Sequence, residues 1–368
     1  MPTSAIELTR EQVLAHRLHA HGLVRRAGTP AEVELLDLGV QNSPPGSLPA
    51  ALSARLAAPL DPAADTEGDP ASTQVWSHRG APHLHRTADL PALAAALWPR
   101  DDADAAARLG WQRARLAEVG GAARSAFRTV ADAVRAVLTG AMTKGELSAA
   151  VTAAVPAELS PYCSPCGVHH VGEQLLRVAG LAGGVRLRGS RPLLLEPIPG
   201  WPGPPADDAA GTAALQRTYL RFFAPSTGAE IAGFLGTSRA AAEPDRPEDL
   251  VPVRIGRRTA VAPADVVDAL RAAEPEPVVR LLPPSDPWLQ SRDRELLVPD
   301  ASLRKAIWRP IGSPGVVLSG VDVVGVWRTR QQRRALRIEV DWAGPRCDVG
   351  PEAGRLAVVR GAADVDVV

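Results

Sequence analysis

Cysteine is almost absent from this 368-residue chain: Cys163, Cys166 and Cys347 are the whole complement, too few for a disulfide framework. Lysine is scarcer still, at Lys144 and Lys305, so arginine carries the positive charge. Neither sign is in excess, since 41 basic residues balance 41 acidic ones. That excludes a surface coated with positive charge but leaves room for a local basic stripe, which is what nucleic acid requires. No apolar run approaches the roughly 20 residues that span a bilayer. Residues 1–11 lack the apolar core behind a positive flank that marks a secretory leader. Gly-rich phosphate loops and a Gly-x-Ser-x-Gly elbow are missing as well, which speaks against an NTPase or an α/β-hydrolase. A soluble cytoplasmic monomer without a nucleotide or other cofactor is expected.

What is present is a helix-start signal, used three times. Thr9-Arg10-Glu11-Gln12, Thr143-Lys144-Gly145-Glu146 and Thr227-Gly228-Ala229-Glu230 each place a threonine three residues before Glu or Gln, next to an apolar stretch. In such a capping box the hydroxyl and the carboxylate or amide satisfy two orphan backbone donors reciprocally. Three boxes suggest a small helical module used repeatedly, of the kind that places a helix against DNA.

The first segment reads helix at 9–26, helix at 30–38, a turn before Pro44 and Pro45, and helix at about 48–56. A solvated loop at 59–71 follows, then strands at 74–80 and 82–85 around a glycine turn. The order returns with helical spacing of Phe127, Val130, Val134, Val137 and Leu138, a helix from Thr143, another at 171–181, and strands at 185–187 and 193–195. In the third copy Leu215, Tyr219, Phe222 and Phe223 share a helical face, Thr227 opens the next helix, and 251–255 with 259–261 form a wing; 238–250 is poorly patterned. Arg254, Arg257 and Arg258 make a small basic patch on that wing. After Pro275 the β-like runs are 278–282, 316–318, 321–327, 335–342 and 355–360, with Trp288, Trp308, Trp327 and Trp342 expected in the core. The fold class expected is α+β: three tandem winged-helix modules (1–120, with connecting helices; 121–205; 206–275) and a small C-terminal β-rich, barrel-like domain (276–368).

Several stretches resemble one family. They run from Leu8-Thr9-Arg10-Glu11-Gln12-Val13-Leu14-Ala15 to Gly325-Val326-Trp327-Arg328, with Leu38-Gly39-Val40-Gln41, Arg79-Gly80-Ala81-Pro82-His83-Leu84 and Phe223-Ala224-Pro225-Ser226-Thr227 between them. Leu282-Pro283-Pro284-Ser285-Asp286-Pro287-Trp288-Leu289 and Arg292-Asp293-Arg294 add a fourth stretch. The chain is similar here to winged-helix DNA-binding proteins of the AlkZ/YcaQ type, bacterial DNA glycosylases that excise alkylated bases and unhook interstrand crosslinks. The resemblance implies a concave channel for duplex, damaged DNA, and a nucleoid association when bound.

It also implies a catalytic signature of Gln, an apolar residue, then Gln or Asp after the second helix, which positions a water and stabilises positive charge on the deoxyribose. Gln41 matches the first position; Asn42 is polar, and Ser43 has neither amide nor carboxylate. An amide acts only through its carbonyl dipole, which can suffice when the leaving base is already cationic. Two readings stay open. Gln41, Asn42 and Ser43 form the catalytic group, or they cap a helix before Pro44, as Asn and Ser do near turns.

Other constellations are weighed beside it. Cys163-Ser164-Pro165-Cys166-Gly167-Val168-His169-His170 offers Cys163, Cys166 and His169 as three zinc ligands, with Cys347 or another histidine as a distant fourth. No second knuckle exists, so no metal is expected there, and no thioredoxin-like pattern surrounds the Cys-x-x-Cys. His169 and His170 precede the 171–181 helix, an end that favours phosphate. Arg328, Arg330, Arg333, Arg334 and Arg337 crowd ten residues without an acid at a turn between strands, either a groove-binding hairpin or a solvated edge guard. Arg79 and His83 are candidate DNA contacts on the first hairpin, where His78, His83 and His85 otherwise read as ordinary strand residues. Two functions follow: a monofunctional glycosylase using Gln41, or a duplex-binding protein without excision chemistry on the same scaffold.

Overall fold

In the computed structural model, residues 5–63, 69–114, 122–189, 191–206 and 211–368 are described. The loop expected at 59–71 and the boundary expected at 120–121 fall partly or wholly outside them. The chain is a mixed α+β protein packed as two compact units. Unit one comprises Met1–Thr66, Arg217–Glu230 and Pro247–Val368; unit two comprises Glu67–Gln216 and Ile231–Arg246. Each unit is thus assembled from segments distant in sequence. No helix among the described residues is long and apolar enough to cross a membrane.

Unit two is organised by the Ala123–Val137 helix. Ala126, Phe127, Val130, Ala131 and Val134 fall at three- and four-residue spacing and are buried, giving the stripe that a 3.6-residue period predicts. They share a core with Leu147 and Val151 of the Lys144–Ala154 helix and Leu175 and Leu176 of the Glu173–Gly180 helix. Thr143 and Glu146 form the expected capping box. Strands Val185–Arg188 and Leu194–Pro197 pair antiparallel, and Met142–Thr143 adds to the second, so the spatial order is 142–143, 194–197, 185–188. Gly183 permits the close approach at the head of this hairpin, since a Cβ there would lie 2.7 Å from Val134 Cγ1. Leu90–Leu97 and Asp102–Arg108 are helices in the stretch where connecting helices are expected without bounds.

Unit one begins with the Arg10–Ala20 helix, capped by Thr9 and Gln12 as expected. It stops six residues short of the predicted end, because Gly22 and then Arg25 take positive φ (69° and 63°). The predicted helix at 30–38 is two single-turn 3₁₀ pieces, Pro30–Glu32 and Glu34–Asp37, interrupted by extended Val33. The third box holds too: Thr227 N donates to Glu230 at 2.8 Å and Glu230 N to Thr227 Oγ1 at 3.2 Å. Ser226 bridges Val261 in the Arg258–Pro263 strand, which pairs with Leu250–Ile255.

The C-terminal segment carries a five-stranded sheet: Val279–Leu282, Gly315–Ser319, Asp322–Gln332 and Ala335–Trp342 in antiparallel succession, then Asp364–Val367 parallel to the last. The strand expected at 355–360 is instead the C-terminal part of the Gly350–Val359 helix. Pro351 suits a first helical turn, and buried Ala353, Leu356 and Ala357 keep helical spacing, so Val358 and Val359 mislead a reading by β-branching. Trp288 and Trp327 are buried, with Trp308 and Trp342 packed partly against the same cores.

Two arginines in unit one are removed from water. Arg17 donates from Nη1 and Nη2 to both carboxylate oxygens of Asp293 (3.0 and 2.7 Å). It also reaches Ser291 Oγ (3.1 Å) and the carbonyls of Phe223, Ala224 and Pro225. Burial disfavours the Asp293 charge, but the Arg17 guanidinium outweighs it and holds the carboxyl below its ordinary value. Arg55 makes a matching fork on Asp286 (2.9 and 2.8 Å) and donates to the His21 and Ala51 carbonyls. Losing one partner of such a pair strands the other in a dry interior. Arg55→Met should therefore cost about 3–5 kcal/mol in urea unfolding. Arg17→Met should cost less, because Arg258 stands 3.4 Å from the same Asp293 carboxylate; equal costs below about 1 kcal/mol would contradict this account.

Candidate functional site

Gln41 ends the two-residue strand Val40–Gln41 in unit one and is half-buried. Its Oε1 accepts from Gln290 Nε2 at 3.0 Å, and the same Gln290 amide donates to the Ser285 carbonyl at 3.3 Å. The amide is thereby held from 249 residues away in sequence, by a residue no local pattern singles out. One lone pair of Oε1 is engaged, leaving the other for a water. Asn42 is buried and turned to a different task. Its Oδ1 accepts from the backbone N–H groups of Gly46 (3.1 Å) and Leu48 (3.3 Å), at the start of the Ser47–Ser53 helix. Gly46 is the N-cap residue and has no side chain to offer, so Asn42 supplies the capping oxygen from upstream. The helix-capping reading describes Asn42. Ser43 is half-buried beside it.

Immediately after this turn lies a cleft of about 270 Å³. Pro44, Pro45 and Ser47 line it together with Trp327, Arg328, Arg330, Glu339 and Arg360. Gln41 itself is not among the lining residues. The paired strands Asp322–Gln332 and Ala335–Trp342 explain the cationic contribution: residues alternate, so Trp327, Leu336 and Ile338 point into the core while Arg328, Arg330 and Arg337 are exposed. Arg333 and Arg334 form the exposed turn between them. The register places Glu339 opposite Arg328 and Asp366 beside Arg337. Glu339 lies 3.3 Å from Arg330 Nε and 3.9 Å from Arg337 Nε. The acid-free run in sequence is therefore partly neutralised across strands. Arg360, beside Gly46, is the cation that strand-based reasoning assigns to the wrong element.

On the Leu250–Ile255/Arg258–Pro263 hairpin, Arg254 pairs with Glu7 and Arg258 with Glu230, leaving Arg257 exposed between them.

The first hairpin, in unit two, pairs Ser72–Trp76 with Pro82–Arg86. Arg79, at φ 59°, donates to the Phe234 carbonyl and lies over that ring at 5.1 Å from its centroid. His83 is fully buried rather than presented at a surface. Its Nδ1 donates to the Ala81 carbonyl (2.9 Å) and lies 3.0 Å from Ser77 Oγ, which in turn sits 2.9 Å from His85 Nε2. A carbonyl only accepts, so His83 carries its proton on Nδ1 and Ser77 is free to donate to His85. Burial first, then neighbouring His78, His85 and Arg79, depresses His83 well below the ordinary histidine value. Burial takes His85 down to about 3.

The second cluster is on the hairpin Tyr162–Cys163/Val168–His169. His169 is exposed; its Nδ1 lies 3.0 Å from the Ser160 carbonyl and its ring packs edge-on against Tyr162. The histidine that converges on Cys163 and Cys166 is His170, with all three donor atoms within 4.8 Å of one another. Strand alternation turns His169 the other way, a signal already present in the spacing. Cys347 lies in unit one, close enough to Ser319 to bond its hydroxyl. The Cys163 thiol is drawn down to about 7 by the Cys166 backbone N–H, then by His170 and the Cys166 thiol.

A sequence model of the family described as DNA glycosylase AlkZ-like matches residues 35–358. Among solved structures, the chain is similar to the DNA glycosylase AlkZ of Streptomyces sahachiroi, at 22% identity and a TM-score of 0.75. That likeness covers 99% of this chain and 100% of the other. No curated protein sequence matches.

The buried histidines set an acid limit on stability. A histidine whose folded pKa lies below its unfolded value of about 6.5 binds more protons when unfolded. Stability is then complete above pH 6.5 and falls with pH through the window down to about 3 for His85, and down to about 4 for His16, which burial also depresses. Each contributes up to about 1.4 kcal/mol per pH unit within its window. Urea midpoints measured from pH 7.5 to 4.5 should fall steadily, and His85→Gln should flatten the slope; an unchanged slope refutes the assignment.

Proposed function

Because the chain belongs to the AlkZ-like family of DNA glycosylases, we propose that it is a monofunctional glycosylase releasing alkylated or crosslinked bases from duplex DNA. It would act as a monomer on the DNA of the cytoplasm, through three winged-helix modules at 1–120, 121–205 and 206–275 and the domain at 276–368. The observation that carries the reading is the shared cleft. The turn that follows Gln41 and the arginines at 328, 330 and 360 line one concavity, so a backbone phosphate held by the cations would lie beside that turn.

In the proposed reaction the bond from the base to deoxyribose C1′ breaks, and its electron pair goes to the cationic base, which departs neutral. Positive charge develops on the sugar. A water held by Gln41 Oε1 forms the new C1′–O bond and releases a proton to solvent. The Gln41 carbonyl dipole, fixed by Gln290, faces that charge without reorganising. Asn42 keeps the turn in shape through the Ser47–Ser53 helix, and Ser43 supplies a second hydrogen bond to the water. His169, Arg333 and Arg334 contact phosphates, while Arg79, held by Phe234, shapes the first hairpin. His83 acts from within the hairpin fold by holding Ser77 and Ala81.

A second reading, duplex binding without excision, draws support from one observation. The Asn42 oxygen is committed to a helix, one lone pair of Gln41 Oε1 to Gln290, and none of Gln41, Asn42 and Ser43 is a carboxylate. Base release from methylated and crosslinked duplexes separates the two. Gln41→Ala should lower release by at least about 100-fold, the scale of losing one preorganised electrostatic group, with duplex affinity unchanged in a gel shift. Absence of release by the unaltered protein, with tight duplex binding, would favour the second reading. Arg328→Glu combined with Arg330→Glu should weaken binding and reduce the salt slope by about 0.9 for each phosphate no longer neutralised; an unchanged slope would remove the cleft from the interface.

A further inference from the structure

We propose that Cys163, Cys166 and His170 form a zinc(II) site, with water as the fourth ligand, that fastens the Tyr162–Cys163/Val168–His169 hairpin to the chain entering the Glu173–Gly180 helix. Three features of the geometry converge on it. The Cys163 carbonyl accepts from the N–H groups of both Cys166 (3.1 Å) and Gly167 (2.8 Å), and Gly167 takes φ +68°. This tight knuckle turns the two thiols to one side. His170 is the second feature. Its Nδ1 lies 2.7 Å from the Val171 carbonyl, which only accepts, so the proton sits on Nδ1 and Nε2 carries the lone pair. That Nε2 is shielded from water, faces the Cys163 sulfur, and has no hydrogen bond of ordinary geometry among the described residues. An imidazole oriented through its other nitrogen by a carbonyl is how proteins aim a metal-binding histidine.

The third feature is mechanical. The hairpin has two ladder pairs, and both Tyr162 (55% exposed) and Val168 (53%) face solvent, so it has no core of its own. Isolated two-stranded hairpins are marginal in water. A metal would supply the missing hold. With all donors within 4.8 Å of one another, they cluster around one point, near the spacing that zinc's 2.0–2.3 Å ligand distances require. Two thiolates and an imidazole select a soft or borderline ion over magnesium or calcium. On binding, each thiol gives its proton to solvent, and the 2+ ion with two thiolates is electrically neutral. Glu173 lies outside this donor cluster, and Lys144 (2.9 Å) and Arg177 (2.6 Å) hold its Oε1.

The test uses the full chain, kept reduced and stripped with a chelator, then titrated with cobalt(II) and back-titrated with zinc(II). One equivalent of cobalt should produce the visible bands of a tetrahedral site and near-ultraviolet thiolate-to-metal absorption, both erased by zinc. Cys163→Ser and Cys166→Ser should each abolish the thiolate band, and His170→Gln should weaken binding and shift the visible bands. His169→Gln and Cys347→Ser should leave the spectrum as it was. Zinc at about 100 times its Kd should slow hydrogen exchange across 160–171 by up to about 100-fold. The proposal is overturned if no saturable one-to-one binding occurs, if Cys347→Ser removes the spectrum, if the cysteines form only a disulfide, or if exchange is indifferent to zinc.

Discussion

The buried guanidinium of Arg17 is the constraint from which unit one is best understood. A charge taken out of water must find a partner for every N–H, and Arg17 finds them on Asp293, Ser291 and three successive carbonyls at 223–225. This fixes the end of the Ala213–Phe223 helix against the Arg10–Ala20 helix and sets the course of the chain at 291–293. Arg55 does the same for Asp286. Gln290 lies between these two anchored carboxylates, and its amide bonds both Ser285 and Gln41. The orientation of the candidate catalytic amide is thus inherited from two ion pairs that take no part in chemistry.

Many arginines are engaged by partners within the chain, some buried and some at the surface. Arg108 folds back on Asp104, Arg25 grips Glu352, Arg221 reaches Asp37, and Arg217 bridges Asp249 and Asp265. Arg79, promising in sequence as a phosphate contact, is tied to Phe234 by a hydrogen bond and by its ring face. On the exposed strand face at 328–337 guanidinium groups gather toward solvent, and even there Glu339 moderates them. A protein with no net charge can present a basic surface only by such segregation.

What is legible from the residues is local. All three capping boxes form, because each needs only four residues and a helix to follow. The Ala123–Val137 helix and the paired strands after Pro275 follow from periodicity alone. The site's supporting contacts are not legible in this way. Pairs such as Gln41 with Gln290, or Arg17 with Asp293, join residues hundreds of positions apart, and no spacing rule reaches across that distance. The Gly350–Val359 helix escapes because two adjacent valines outweigh a stripe of small residues. His169 stands in for His170 when the motif is matched by order rather than by which way each side chain leaves a strand.

The capping role of Asn42 has a consequence for how this turn can change. A substitution at 42 that removes its oxygen uncovers the first turn of the Ser47–Ser53 helix, a loss of about 0.5–2 kcal/mol. Ser43 is one residue along and half-buried at the head of two prolines. An aspartate introduced at 43 would bring a carboxylate to the turn while the helix start stays intact. The two neighbours therefore differ in what they can accept, the first tied to the helix start and the second free of that bond.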